Sequence, residues 1–281
     1  VYGMSRIVIR KFGNVNEEDI KKIISIMQEC YERIEIKNVE MVDLYIFEKG
    51  FSMKEFKRGE KVEKVSSLSL EEEFFATHDA YHGIPRIMIA IDKLNELPEN
   101  VRIGGIRHEV AHSILHGSLD YYIFSIPSIL IEYSKKYSDL KKFFGDITYL
   151  ISIAIKDYEV TNLLCKYGYI EDQYEYVKYF LKHSIEEKET WEIVKNNFSL
   201  TLLFIASLIK IIACAAPLLF TSFNKKISED LGSYISYLPI KIQNIILKIV
   251  LKKFQKQYEN LQQEINIVCE ELIKNLEMLI A

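Results

Sequence analysis

From Tyr121 to the C-terminus, almost every stretch of this chain carries apolar residues at helical spacing. Strands, if any, must therefore come from the part that precedes it. The spacing predicts helices over 126–137, 140–166, 172–183, 186–196, 199–215, 224–234, 239–258 and 260–279. The chain before Tyr121 reads differently. Alternation in Arg6-Ile7-Val8-Ile9-Arg10 predicts a strand over 5–12, and Asn16-Glu17-Glu18-Asp19 opens a helix with Ile20, Ile23, Ile24, Met27, Cys30, Tyr31 and Ile34 on one face. A second strand follows over 41–48, and a third over 85–92, where Ile87, Met88, Ile89, Ala90 and Ile91 form an apolar run. The charged, glycine-bearing segment 49–70 reads as a surface hairpin or loop, and 71–75 as a short helix. The expected class is α+β, with a strand-and-helix part over 1–118 and an α-helical part over 119–281.

With 49% hydrophobic residues in 281, the chain has enough apolar surface for a large core, which excludes a disordered class. Its net charge of −4 comes without a basic face or Lys/Arg run, which argues against nucleic acid as a partner. Cys30, Cys165, Cys214 and Cys269 are scattered in apolar, helix-like contexts with no Cys-x-x-Cys pair, and read as reduced, buried thiols. The first eleven residues are too short and too charged for a secretory signal, so a cytoplasmic location is expected. The one membrane candidate, 199–223, contains Lys210 and Pro217, which favours a buried helix or helix pair over a spanning one. The amphipathic stretch 241–279 suggests a homodimer contact.

The segment carrying the chemistry is His108-Glu109-Val110-Ala111-His112. Histidines four apart on a helix put both imidazoles on one face, which is the arrangement that grips a zinc ion, and the glutamate beside the first is placed to act as a base on metal-bound water. Pro98 marks the start of this helix, and Gly117 is placed to end it in a left-handed conformation. Gly104 and Gly105 inside it cost helix propensity, which a close approach by a neighbouring element would explain. His116 continues the same face, but lies about 12 Å along the axis from His108, too far to share one ion. It reads as a packed residue or as a hydrogen-bond partner of a ligand. His78 and His82 repeat the four-residue spacing; a polar loop before the third strand is the expectation there, with a second metal site or a substrate contact as the alternative.

The His-Glu-x-x-His segment resembles that of the zincin metallopeptidases. Leu115 and Ser118 stand where the metzincin branch has glycine and histidine, so the similarity is to the gluzincin type, in which a later helix supplies a glutamate ligand. The phrases His-Glu-Val-Ala-His-Ser-Ile-Leu-His-Gly and Lys-Asp-Tyr-Glu-Val-Thr-Asn also look like an uncharacterised archaeal family. What the resemblance implies is a small mixed sheet, a backing helix and an active-site helix, followed by a helical part that completes the metal site. The implied ligands to Zn2+ are His108, His112 and Glu159, with Glu109 as catalytic base and Asn162 able to hold an imidazole. The spacing from Glu159 to Asn162 is three where the family has four, which keeps Asp157 open as the ligand. Tyr121, Tyr122, Tyr158 and His183 are all chemically able to stabilise an oxyanion. The implied substrate is a peptide or protein, added as a strand along a sheet edge that 85–92 resembles. Two other functions stay open: a catalytically inactive zincin-like binding or regulatory module, and a helical membrane-associated or scaffold protein.

Overall fold

Strand alternation and helical spacing resolve into four strands and twelve α-helices among the residues that the computed structural model describes, which are 6–34, 39–61, 75–182, 185–252, 254 and 259–280. These group into two compact units, one of residues 1–123 with 163–176, the other of 124–162 with 177–281.

The first unit holds the sheet. Strands β1 (Arg6–Phe12), β2 (Met41–Phe47), β4 (Ile84–Ala90) and β3 (Ala76–Tyr81) lie side by side in that order. β1–β2 and β2–β4 pair in parallel, and β3–β4 antiparallel. Helix α1 (Glu17–Arg33) makes the crossover from β1 to β2. Its first turn is capped by the Asn16 side chain, which accepts from the Glu18 amide. β2 and β4, covered on both faces, are apolar almost throughout.

Side-chain alternation assigns the two faces of the sheet. Tyr45, Phe47, Met88 and Ala90 share one face with Met53 of helix α2 (Gly50–Lys61) and with Phe12 and Phe56. Arg86, of the same parity, is buried there and holds Glu60 of α2 and Asp79 of β3 at 2.6–2.9 Å. The opposite face carries Ile87 and Ile89 and packs on helix α4 (Glu99–Leu115), to which the short α3 (Ile91–Asn95) leads. α1 also packs on α4, with the Tyr31 hydroxyl 2.6 Å from Ser113 Oγ.

Three expectations change. Residues 50–61 are a helix rather than part of a hairpin or loop, because Met53 and Phe56, three apart, seat on the aromatic face and Glu60 meets Arg86; residues 62–74, including most of the segment expected as a short helix, lie outside the described residues. The sheet edge next to α4 is β3, not the 85–92 segment, which is internal; Tyr81 and Ile84 close a two-residue turn in which His82 and Gly83 both have positive φ (51° and 81°). Gly117 does not adopt the left-handed conformation. It is glycine for room, since a Cβ there would lie 2.6 Å from Pro85 Cγ. The expected close approach at Gly104 and Gly105 is present: a Cβ would meet the Asp172 carbonyl oxygen at 2.4 Å from Gly104 and the Phe75 ring at 2.2 Å from Gly105.

The second unit is helical. It comprises α5 (Ser128–Tyr133), a 3₁₀ segment (Ser138–Phe143), most of α6 (Phe144–Lys166), the end of α7 (Ile170–Phe180), α8 (Ile185–Val194), α9 (Phe198–Ala215), α10 (Asn224–Tyr234), α11 (Ile240–Lys252) and α12 (Leu261–Ile280). α9 is its axis and packs against α8, α10, α11 and α12. That explains why α9 is apolar nearly all round. Residues Phe198–Phe220 are long and apolar enough to cross a membrane, yet 67% of that window is buried within the protein. The apolar faces of α11 and α12, which suggested a dimer contact, pack on each other and on α9. Ile242, Ile246, Ile249, Val268, Leu272 and Ile273 are buried there, and a fully buried Leu or Ile contributes about 1.5–3 kcal/mol. The four cysteines are free thiols, and burial pushes Cys30, Cys165 and Cys269 up to about 12, far from the thiolate form.

Candidate metal centre

α4 presents His108 and His112, one turn apart, with 3% and 1% of their surface exposed. Their rings turn toward each other until the two Nε2 atoms are 3.0 Å apart. His112 is also engaged on its other side, with its Nδ1 3.0 Å from Nδ1 of His116. An N–H on His112 Nδ1 donating to His116 leaves the His112 Nε2 lone pair facing His108. His116, at the C-terminal end of α4, thus touches the second histidine and not the first, as the axial distance between them requires. It serves as the partner of a candidate ligand.

Two Nε2 atoms at this spacing suit a single cation. Tetrahedral zinc with bonds of 2.0–2.1 Å sets neighbouring ligand atoms about 3.3 Å apart, close to the observed separation. Asp157, on α6, is 9% exposed. Two residues along a helix is a rotation of about 200°, so Asp157 and Glu159 point in opposite directions. Glu159 is exposed, and its carboxylate acts on Glu264 of α12, whose own carboxyl is pushed up to about 8, first by burial and then by this like charge. Of the two acids, Asp157 is the buried one and Glu159 the exposed one. Lys156 is buried beside both acids, and burial lowers it to about 8 despite their attraction.

Glu109 has 8% of its side chain exposed and is held by a residue that the sequence did not single out for this role. His78 Nδ1 lies 2.8 Å from Glu109 Oε2. The His78 ring also stacks on that of His112, with centroids 3.6 Å apart and planes 14° from parallel. The reason is register. On β3, His78 sits opposite Ile87 and therefore shares its face toward α4, while Thr77 and Asp79 turn to the other face. Reading 76–81 as a strand, from the positive-φ turn at His82-Gly83, is the signal that would have found it. Tyr176 of α7, its ring 5.1 Å from His108, is a second neighbour that sequence reasoning missed.

Of the residues considered for oxyanion stabilisation, Tyr122 has its ring 6.3 Å from His78, and Tyr121 has its ring 4.9 Å from His116. Tyr158 packs edge-on against Phe254, and His183 lies outside the described residues. Comparison with family models, curated proteins and solved structures returned no match.

Proposed function

We propose that this chain is a zinc-dependent metallopeptidase of zincin-like organisation, with His108 and His112 as ligands, an acid as the third, for which Glu159 and Asp157 are the candidates, and Glu109 as general base. The observation that carries the reading is the convergence of the two Nε2 atoms to 3.0 Å on a helix that also holds a nearly buried glutamate. A purely structural zinc site closes with a fourth protein ligand and has no use for a base beside the first histidine. When bound, zinc would lower the pKa of a coordinated water to about 7 and polarise a peptide carbonyl.

The chain's own residues account for the remaining requirements. Glu109 keeps Oε2 on His78, while its Oε1 has no hydrogen-bond partner among the described residues. That oxygen is suited to accept a proton from the attacking water and return it to the departing amine as the C–N bond breaks. His116 fixes the ring orientation of His112 through Nδ1. Among the described residues β3 pairs only with β4, and its outer edge suits an extended peptide bound as an added strand. A cytoplasmic location and a peptide or protein substrate belong to the same proposal.

Metal analysis of the purified protein, followed by hydrolysis of a broad peptide library with Glu109 and with the Glu109→Gln variant, tests it. One zinc per chain is expected in both proteins, with turnover reduced at least about a hundredfold in the variant. Zinc without turnover in the parent protein would instead identify a metal-binding module. No bound zinc would refute both.

A further inference from the structure

We propose that His78, on the edge strand, is a positioning residue for the reaction: its Nδ1–H clamps one oxygen of Glu109, so that the other is held ready for the attacking water. This inference rests on the metallopeptidase reading and adds to it a residue from outside the active-site helix.

A glutamate side chain on a helix has three rotatable bonds, and its carboxylate is free to swing unless something fixes it. Glu109 is fixed from across the sheet–helix packing. The 2.8 Å contact to Oε2 is of hydrogen-bond length, and a carboxylate can only accept, so the proton is on His78 Nδ1. The clamp is itself rigid. β3 is tied to β4 over six residue pairs and closed by the tight turn at His82-Gly83, and the His78 ring is pinned flat against His112. The same imidazole thus touches the base through an edge and a candidate ligand through a face. The result is that Oε2 is committed while Oε1 is not. Presenting one oxygen in a fixed place is the kind of preorganisation on which a misplacement of about 1 Å costs on the order of a hundredfold in rate.

Two substitutions separate the hydrogen bond from the stacking. His78→Phe keeps a flat ring against His112 but has no donor, whereas His78→Asn can put an amide N–H near the position of Nδ1. With zinc content and KM close to those of the parent, kcat is expected to fall about 10- to 100-fold in His78→Phe and to recover in large part in His78→Asn. Equal losses in both variants, or no loss in His78→Phe, would overturn the clamp. Loss of zinc from His78→Phe would also overturn it, by making His78 part of the metal site. A readout independent of turnover is the side-chain 15N spectrum of the histidines. It is expected to show His78 as the Nδ1–H tautomer in the parent and to lose that signature in Glu109→Ala. If the tautomer is as expected but the parent protein hydrolyses no peptide, the metallopeptidase reading fails and the clamp loses its catalytic purpose. If the parent is active and the tautomer is absent, the clamp alone fails.

Discussion

Replacing Gly104 by alanine inverts the sign that this substitution normally has in the middle of a helix. Alanine ordinarily gains about 1 kcal/mol there, because glycine gives up more backbone entropy on folding. In α4, however, the new Cβ would sit 2.4 Å from the Asp172 carbonyl oxygen and 2.8 Å from Tyr176 Cβ, against an ordinary contact of 3.4–4 Å. α4 and α7 would have to part by about 1 Å, and forcing an extra carbon into a closely packed contact costs about 1–3 kcal/mol. The obstruction is backbone rather than the end of a flexible side chain. It is also held in place, since the Asp172 carboxylate receives Arg107 at 3.0 Å and the neighbouring Gln173 donates to the Gly104 carbonyl at 2.9 Å. The upper half of that range applies, leaving a net loss of about 1–2 kcal/mol after the propensity gain. Gly232 in α10 is the control. A Cβ there meets nothing within 4 Å, so Gly232→Ala should stabilise by about 0.5–1 kcal/mol. Urea unfolding, with hydrogen exchange of the α4 amides to localise the effect, reads both. A Gly104→Ala protein as stable as its parent, at unchanged m-value, would refute the close approach of α7 to α4.

Of Asp157→Ala and Glu159→Ala, the one that removes the third ligand should weaken zinc binding at least about tenfold while the other leaves it unchanged, as measured by competition with a chromophoric chelator; no loss in either would exclude both acids as ligands. Arg86→Met should cost about 2–4 kcal/mol in urea unfolding, below the full penalty for breaking a buried ion pair, because Glu60 and Asp79 keep about a third of their side chains exposed to water. A neutral effect would mean that the guanidinium does not tie α2 to β3. Burial, with Glu159 as the smaller cause, raises Glu264 from 4.5 to about 8 in the folded state. Its stabilising contribution is therefore complete below pH 4.5 and is lost as pH rises through 8, with a slope of up to about 1.4 kcal/mol per pH unit. Glu264→Gln should flatten the fall in stability between pH 5 and pH 8, and an unaltered slope would assign it to other groups.

The sheet and the histidine pair differ in how they are written in the sequence. β2 and β4 are buried on both faces and announce themselves as apolar runs, and His108 and His112 lie on one helical face by spacing alone. The axial distance from His108 to His116 separated those two residues, but left open whether His116 packs or meets a neighbouring histidine, which the contact of its Nδ1 with His112 decides. β3 was harder to read because Thr77-His78-Asp79 has no apolar alternation: its two faces meet a histidine–glutamate cluster and a buried arginine rather than a hydrocarbon core. With the strand unread, the meeting of His78 with Glu109 was unread too. α2 was obscured by its charges, since a charged stretch with glycines looks like a loop until Arg86 and the aromatic face give Glu60, Met53 and Phe56 their partners. The choice between Asp157 and Glu159 depends on the rotation of α6 about its axis, and the apolar residues on every side of that helix do not determine it.

Whether His108 and His112 hold a zinc ion is read by X-ray absorption at the zinc K edge of the purified, zinc-loaded protein. Two imidazole nitrogens and an oxygen shell at about 2.0–2.1 Å are expected, with one imidazole lost in His108→Ala and in His112→Ala. Sulfur scattering at about 2.3 Å, or a shell without imidazole, would contradict the pair as ligands.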